Sequence, residues 1–257
     1  MIKWAMTASK SRNVLDEAEQ AFGKAHQIPM FPRQNKSIPY LLEYYGLDVL
    51  LVMENGELAA YSPGNRLVYH PGMAAPRLKQ WQQGVEETLI TALALTPGQQ
   101  MLDCTMGLAS DALVASAMVG ETGRVICLEK SPVIFVVTTY GLAHCTKGSL
   151  ELQAAMRRIE TRLGDYHEVL PQLADKSFDV VYLDPMFAHP VESSTGIAGL
   201  REAADYYQPT AEDLAQARRV AAERVVIKHR RGQMAQMAFD EVIGGRYSSI
   251  GYGIFYG

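Results

Sequence analysis

Four acids stand where apolar runs end along this chain: Asp103, Glu129, Asp165 and Asp184. The last has the most specific surroundings. Phe178-Asp179-Val180-Val181-Tyr182-Leu183 has the pattern of a buried strand, and it stops at Asp184-Pro185-Met186-Phe187. Pro185 biases Asp184 away from helical geometry and brings no N–H, leaving nearby carbonyls to accept from a ligand. An acid, free carbonyls and the flat ring of Phe187 suit a planar heterocycle bearing an amino group. Taken alone, an Asp-Pro pair equally fits a strand-end turn with a capping Asp.

The other junctions narrow the chemistry. Leu102-Asp103-Cys104-Thr105-Met106-Gly107-Leu108-Ala109-Ser110-Asp111 reads as strand, loop and helix start. Gly107 permits a tight turn there, and small Ala109 and Ser110 admit a ligand to the backbone. A dinucleotide site would show G-x-G-x-x-G and bring a pyrophosphate to the helix N-terminus. The acids Asp103 and Asp111 would repel phosphates and attract a cation. S-adenosylmethionine (SAM), with a sulfonium, a free amine and no phosphate, fits this chemistry. Glu129 ends the next strand at the spacing from the loop where a carboxylate accepts from ribose hydroxyls. Asp165, after Gly164 and before Tyr166, is suited to an adenine amine. Acids at successive strand ends, on the edge where open α/β sheets bind ligands, point to a SAM site.

These acids need a parallel sheet to present them. Strands are expected at residues 100–103, 124–129, 161–163, 178–183 and 224–228. Helices are expected between them at 111–119, 132–143, 150–159 and 210–222, with a helical turn after Tyr166. Such alternation predicts a parallel sheet covered on both faces. Residues 246–250 and 252–256 read as a closing antiparallel pair with only Gly251 between them. The first part of the chain differs. Residues 11–25 have helical periodicity, with Val14, Leu15, Ala18, Ala21 and Phe22 on one stripe. Ser37 caps an expected helix through Tyr45, with Gly46 as its stop. Asn55-Gly56 joins two strands, 49–53 and 57–61, and a third follows at 67–70. Residues 76–95 read as helical, with Trp81 in the core. The expected division is a small α/β module at 1–75 and a larger domain at 76–257.

With 257 residues, 48% of them hydrophobic, the chain can bury a full core. A net charge of −4 excludes a globally basic nucleic-acid binder but allows a local basic patch. Cys104, Cys127 and Cys145 lack C-x-x-C spacing, so neither a disulfide framework nor a zinc site is expected; Cys104 and Cys127 read as small buried hydrophobes. No apolar run is long enough for a membrane span and no signal-peptide core is evident, which predicts a soluble, cytoplasmic protein.

The chain resembles class I SAM-dependent methyltransferases, and within them the RsmJ-type 16S ribosomal RNA guanine-N2 methyltransferases. The resemblance runs from about His70 onward. It rests on Asp103-x-Thr105-x-Gly107-Leu108-x-x-Asp111, Leu128-Glu129-x-x-Pro132-Val133, Tyr182-Leu183-Asp184-Pro185-Met186-Phe187 and Val225-Val226-Ile227-Lys228. It implies a doubly wound, mostly parallel, Rossmann-like seven-stranded sheet with a C-terminal antiparallel hairpin. SAM contacts then fall on Ser110, Asp111, Glu129, Lys130, Asp165, Tyr166 and Asp184, with Asp103, Thr105 and Gly107 in the same motif. The chain departs from the family at Ala109, Ala188, Asp165-Tyr166 and the non-basic stretch 190–199.

The expected reaction is methyl transfer to an exocyclic amine of an RNA base, with guanine N2 in 16S ribosomal RNA as the implied target. Asp184 and the Pro185 carbonyl accept the N–H groups of the amine, while Phe187 stacks on the base. Lys228, ending an apolar strand, is the best candidate substrate contact; His70 and His189 are further ones by position. Arg218, Arg219, Arg224, Lys228, His229, Arg230 and Arg231 form a basic run suited to phosphates or simply to solvent. Two other readings stay open: a different amine target, such as adenine N6 or a small molecule, and a non-catalytic SAM-binding interaction protein. No metal or membrane partner is expected, and the sequence sets no oligomeric state.

Overall fold

The computed structural model of the chain describes residues 2–185, 209–230, 237–244 and 250–257. Phe187 and His189 lie outside the described residues. The fold divides into two compact units.

The first unit takes the chain to His70 and adds Val136–Cys145. Its sheet has the order β1 (Trp4–Ala8), β2 (Val49–Glu54), β3 (Glu57–Ser62) and β4 (Asn65–Val68). Asn55 and Gly56 take positive φ of 52° and 77°, the left-handed pair that an Asn-Gly hairpin turn requires. β1 pairs in parallel with β2, from Trp4 opposite Val49 to Ala8 opposite Met53. Its Trp-Ala-Met-Thr-Ala composition carries little strand signal, so pairing rather than propensity makes it a strand. α1 (Glu17–Ala25) begins later than the periodicity predicts. Asp16 accepts from the Glu19 N–H while Glu19 reaches back to the Asp16 N–H, and this capping box fixes the start. Val14, counted on the apolar stripe, is 58% exposed as a result. α2 (Ile38–Tyr45) is capped by Ser37 and stopped by Gly46 at φ 58°, as expected.

The second unit carries the larger sheet, in the order β10-β11-β9-β8-β5-β6-β7. Its strands are β5 (Gln100–Asp103), β6 (Arg124–Glu129), β7 (Ile159–Leu163), β8 (Phe178–Leu183), β9 (Ala221–Arg230), β10 (Glu241–Ile243) and β11 (Ile250–Tyr256). β5 to β9 pair in parallel, and β11 alone runs antiparallel, to both β9 and β10. This is a doubly wound, Rossmann-like sheet of seven strands. β8 is buried on both faces, which its apolar run anticipates. Val181 and Leu183 pack with Leu102, Leu128, Val225 and Ile227 in one core layer. Cys104 and Cys127 are buried, as read.

Three expectations need correction here. Gly251 is not a turn, because a single residue cannot reverse a chain; it lies inside β11 opposite His229. A Cβ at Gly251 would come within 3.1 Å of the His229 ring, so close approach explains the glycine. The antiparallel partner is instead β10, which the sequence pattern did not reveal. The expected helix at 76–95 is two helices, α3 (Ala74–Gln82) and α4 (Thr88–Leu93), broken at Gly84 with φ 78°. Trp81, expected in the core, is 43% exposed.

The remaining helices of the second unit are α5 (Ser110–Val119), α7 (Leu150–Arg158), α8 (Tyr166–Val169) and α9 (Ala211–Val220), of which α5 and α9 pack on the sheet; α6 (Pro132–His144) belongs from Val136 onward to the first unit. No helix among the described residues is long and apolar enough to cross a membrane.

Candidate functional site

The carboxyl ends of β5, β6, β7 and β8 present Asp103, Glu129, Asp165 and Asp184, and a web of hydrogen bonds ties the loops between them. Thr105 is the first link. Its backbone N–H and hydroxyl donate to Asp103 Oδ1 at 2.9 and 3.3 Å, and its Oγ1 accepts the Asp184 N–H at 2.6 Å. The loop after β5 is thereby stapled to the end of β8. Beyond it, Gly107 at φ 51° and Ala109 at φ 55° turn the chain into α5. The Met106 N–H donates to the Leu128 carbonyl, closing the same loop onto β6. Ser110 is the first residue of α5 and is half-buried.

Glu129 organises the β6 end. Oε2 accepts the Gly107 N–H at 3.0 Å and Oε1 the Ser131 N–H at 2.7 Å. Burial pushes its carboxyl up, against the pull of those N–H groups. With the Lys130 N–H as a third backbone donor, about one of the carboxylate's roughly four lone-pair sites is left for a hydroxyl. The Gly107 amide, which a phosphate-binding loop would aim at its ligand, is spent on this carboxylate. At the next strand end Asp165 caps α8 through the His167 N–H at 3.1 Å, and its Oδ2 lies 3.0 Å from Lys130 Nζ. Tyr166 is buried beneath it. Carboxylates dominate this edge, a donor and acceptor set that fits a ligand with hydroxyls, amines and positive charge, as SAM has.

A buried charge network lies beside Asp184. Lys228 Nζ on β9 donates to Asp184 Oδ2 at 2.7 Å and to Asp111 Oδ2 at 2.9 Å. Asp111 Oδ2 also accepts from Tyr182 Oη at 2.7 Å, and its Oδ1 accepts from Arg77 at 2.5 Å. Arg77 Nε lies 3.3 Å from Glu87 Oε1. Burial would raise Asp111, but Lys228, Arg77 and Tyr182 outweigh it and hold its carboxyl down at about 2. Asp184 has one cation where Asp111 has two, and burial with the nearby Asp111 charge leaves its carboxyl above the usual range despite Lys228. Burial alone would lower the Lys228 ammonium; Asp184 and Asp111 raise it instead.

Asp103 is the most perturbed acid at the edge. It is 2% exposed, and burial pushes it up to about 7, helped by Asp111 and Asp184 and opposed by the Thr105 donors. A carboxyl raised on folding destabilises the folded state above the unfolded value of about 4, most fully beyond pH 7. Asp103→Asn keeps a carbonyl acceptor for Thr105 and removes that cost. The variant is expected to gain up to about 4 kcal/mol at pH 8 and little at pH 4. Thermal unfolding at the two pH values checks this, and equal shifts at both would refute it.

The sequence-predicted residues of the second unit therefore converge, with two changes of emphasis. The oxygens of Asp111, expected to meet the cofactor, are engaged by Arg77, Tyr182 and Lys228. Lys228, expected to meet substrate, holds two acids. His70 is exposed in the first unit, at its boundary in the chain. The run from Arg218 to Arg230 is not one phosphate-binding face. Arg219 bonds the Leu170 and Leu173 carbonyls and Asp175, Arg218 lies over the Phe255 ring, and His229 is buried. Sequence reasoning missed Arg77, Glu87 and Tyr182. The available signal was Asp111 itself, an acid inside the apolar helix Ala112-Leu113-Val114-Ala115, which demands a buried counter-ion. Among the described residues no group of three or more His, Cys, Asp or Glu is arranged to hold a metal.

Comparison with known proteins gives one concordant picture. Residues 62–242 match the family described as "Putative SAM-dependent methyltransferase". The chain is 40% identical over 218 residues to "Uncharacterized protein YpiP" of Bacillus subtilis, covering 85% of this chain and 84% of that protein. It is 30% identical over 237 residues to "Ribosomal RNA small subunit methyltransferase J" of Alkalilimnicola ehrlichii, covering 87% and 85%. In three dimensions it is similar to the crystal structure of NGO1261 from Neisseria gonorrhoeae, titled a SAM-dependent methyltransferase. There the TM-score is 0.65, with 19% identity over 98% of this chain and 95% of the other, a likeness of fold.

Proposed function

This chain belongs to the SAM-dependent methyltransferase family, and from that premise we propose that it methylates an exocyclic amine of an RNA base, guanine N2 in small-subunit ribosomal RNA. The observation that carries the amine target is the setting of Asp184. Its carboxylate ends a central strand, with its backbone N–H fixed by Thr105 and Oδ2 fixed by Lys228. Oδ1 is then the acceptor for a substrate N–H. The choice of ribosomal RNA is supported by the relative named "Ribosomal RNA small subunit methyltransferase J", whose length this chain largely spans.

SAM, when bound, supplies a methyl group on a positively charged sulfur. Glu129 would accept from its ribose hydroxyls, Asp165 with buried Tyr166 would border its adenine, and Thr105, Gly107 and Ser110 would line the loop against it. Lys130 holds Asp165 in place. Asp103 holds Thr105, and through it the Asp184 backbone, in place. An exocyclic base amine is a weak nucleophile because its lone pair is delocalised into the ring. Accepting its two N–H bonds at Asp184 and the Pro185 carbonyl favours the tetrahedral form with a localised lone pair, and Asp184 takes the proton that the amine loses once its new N–C bond has formed. Holding the amine in line accounts for much of the remaining barrier. In a folded RNA the base must leave its stack to reach this edge. Phe187 is the proposed stacking partner, and His70 and His189 are further candidates at the substrate side.

Radiolabelled SAM incubated with the protein and unmethylated small ribosomal subunits, total RNA, DNA or a metabolite extract tests the proposal. Label is expected in the subunits, and nucleoside analysis should recover it as N2-methylguanosine. Label confined to N6-methyladenosine or to small molecules would replace the target, and no transfer to any acceptor would leave a SAM-binding protein without this activity.

A further inference from the structure

Three acids and two cations alternate through the second unit in the order Glu87, Arg77, Asp111, Lys228, Asp184. They come from different elements: Arg77 from α3, Glu87 from the cap of α4, Asp111 from α5, Lys228 from β9 and Asp184 from the end of β8. The first four side chains are 20% exposed or less, while Asp184 at the open end is 30% exposed. Each group is oriented by the next. Glu87 Oε2 caps α4 through the Ile90 N–H at 3.1 Å while Oε1 faces Arg77. Arg77 takes Asp111 Oδ1, leaving Oδ2 to Lys228 and Tyr182.

Apolar residues of similar volume often serve stability as well as such a buried network, so stability alone does not account for it. We infer that Arg77 and Asp111, backed by Glu87, are positioning residues that clamp Lys228 Nζ against Asp184 and so fix the carboxylate that meets the substrate amine. The inference rests on Asp184 being that acceptor. Without the clamp, the long flexible side chain of Lys228 has several rotamers and Asp184 loses a fixed partner. Displacing a reacting group by about 1 Å costs roughly 100-fold in rate.

Asp111→Asn separates positioning from simple charge. The charged and titratable groups around Asp184 are Lys228, Asp111, Arg77, Asp103, Tyr182 and Tyr252. By charge counting, deleting the neighbouring Asp111 anion lowers the midpoint of Asp184. By positioning, the Asn amide turns a donor toward Arg77 or toward Lys228 and Tyr182, Lys228 loosens, and the midpoint rises. The measurement is a carboxyl-carbon NMR titration of the full chain labelled at aspartate, with the Asp184 signal assigned through Asp184→Asn. A rise is expected, together with a fall of about 100-fold in kcat on small ribosomal subunits and SAM affinity near that of the parent. An unmoved or lowered midpoint overturns the inference.

If Asp111→Asn does not fold, Glu87→Gln gives the same test by the same titration: charge counting lowers the Asp184 midpoint, whereas loosening Arg77, Asp111 and Lys228 in turn raises it, and an unmoved or lowered midpoint overturns the clamp. The titration needs no RNA. A parent protein inactive on subunits would therefore remove the proposed target while leaving the clamp to be judged by its own readout.

Discussion

Asp184→Asn is expected to lower the turnover of methyl transfer by roughly 100- to 1,000-fold, the usual loss when a preorganised electrostatic partner of the reacting group is removed. The substitution changes little else. The backbone N–H that bonds Thr105 is retained, and the side chain keeps its shape. What changes is polarity. The carboxylate offers acceptors to both Lys228 and an amine, whereas an asparagine must turn its NH2 group toward one of them. If it faces Lys228, two donors collide; if it faces the substrate, the amine has no acceptor. SAM affinity should stay near that of the parent, because Glu129 and Asp165 stand on other strands. Single-turnover methyl transfer, with SAM binding measured separately by calorimetry, checks both halves. Turnover close to that of the parent in a SAM-binding variant would remove Asp184 from the mechanism.

Lys228→Met should be the most damaging substitution for the fold of the second unit, at about 3–5 kcal/mol, the range for breaking a buried ion pair from one side. The Lys228 side chain is 14% exposed and that of Asp111 11%, so water cannot easily replace the lost ammonium. Asp111 retains Arg77 and Tyr182, while Asp184 loses the one cation bonded directly to it among the described residues. The sign of the pH effect follows. Lys228 favours the ionised form of Asp184, so its removal raises a carboxyl that burial already holds high. The deprotonated state required for accepting an amine is then reached only at higher pH, and the acid limb of the kcat profile moves upward. Denaturant unfolding at neutral pH measures the first effect and a pH–rate profile the second. A variant of parental stability with an unmoved acid limb would show that Lys228 matters to neither.

Much of this edge was legible in sequence because the signals are local. Asp103, Glu129, Asp165 and Asp184 each follow a run that forms a parallel strand, and each βα junction places its last strand residue at the carboxyl edge whatever the neighbouring strands are. The Asn55-Gly56 hairpin and the Ser37 cap are equally local, set by positive φ and by a side chain bonding its own helix. The errors arose where local signals were thin. Gly251 looks like a turn in isolation and is a strand residue because β11 pairs with β9 there, the missing side chain leaving room for the His229 ring. β1 has no pattern of its own and owes its conformation to β2.

The sequence alone determined that four acids would stand at the carboxyl ends of neighbouring parallel strands. Which acids remain available there was decided only by the tertiary structure. Asp111 and Asp184 look alike in the chain, both being acids beside apolar segments. Among the described residues, folding brings the side chains of Arg77, Tyr182 and Lys228 to the carboxylate of the first and that of Lys228 to the carboxylate of the second. Side chains 34, 71 and 117 residues away from Asp111 make that distinction. No local pattern can encode it, because the pairing energy exists only once β8, β9, α3 and α5 have packed together and excluded water.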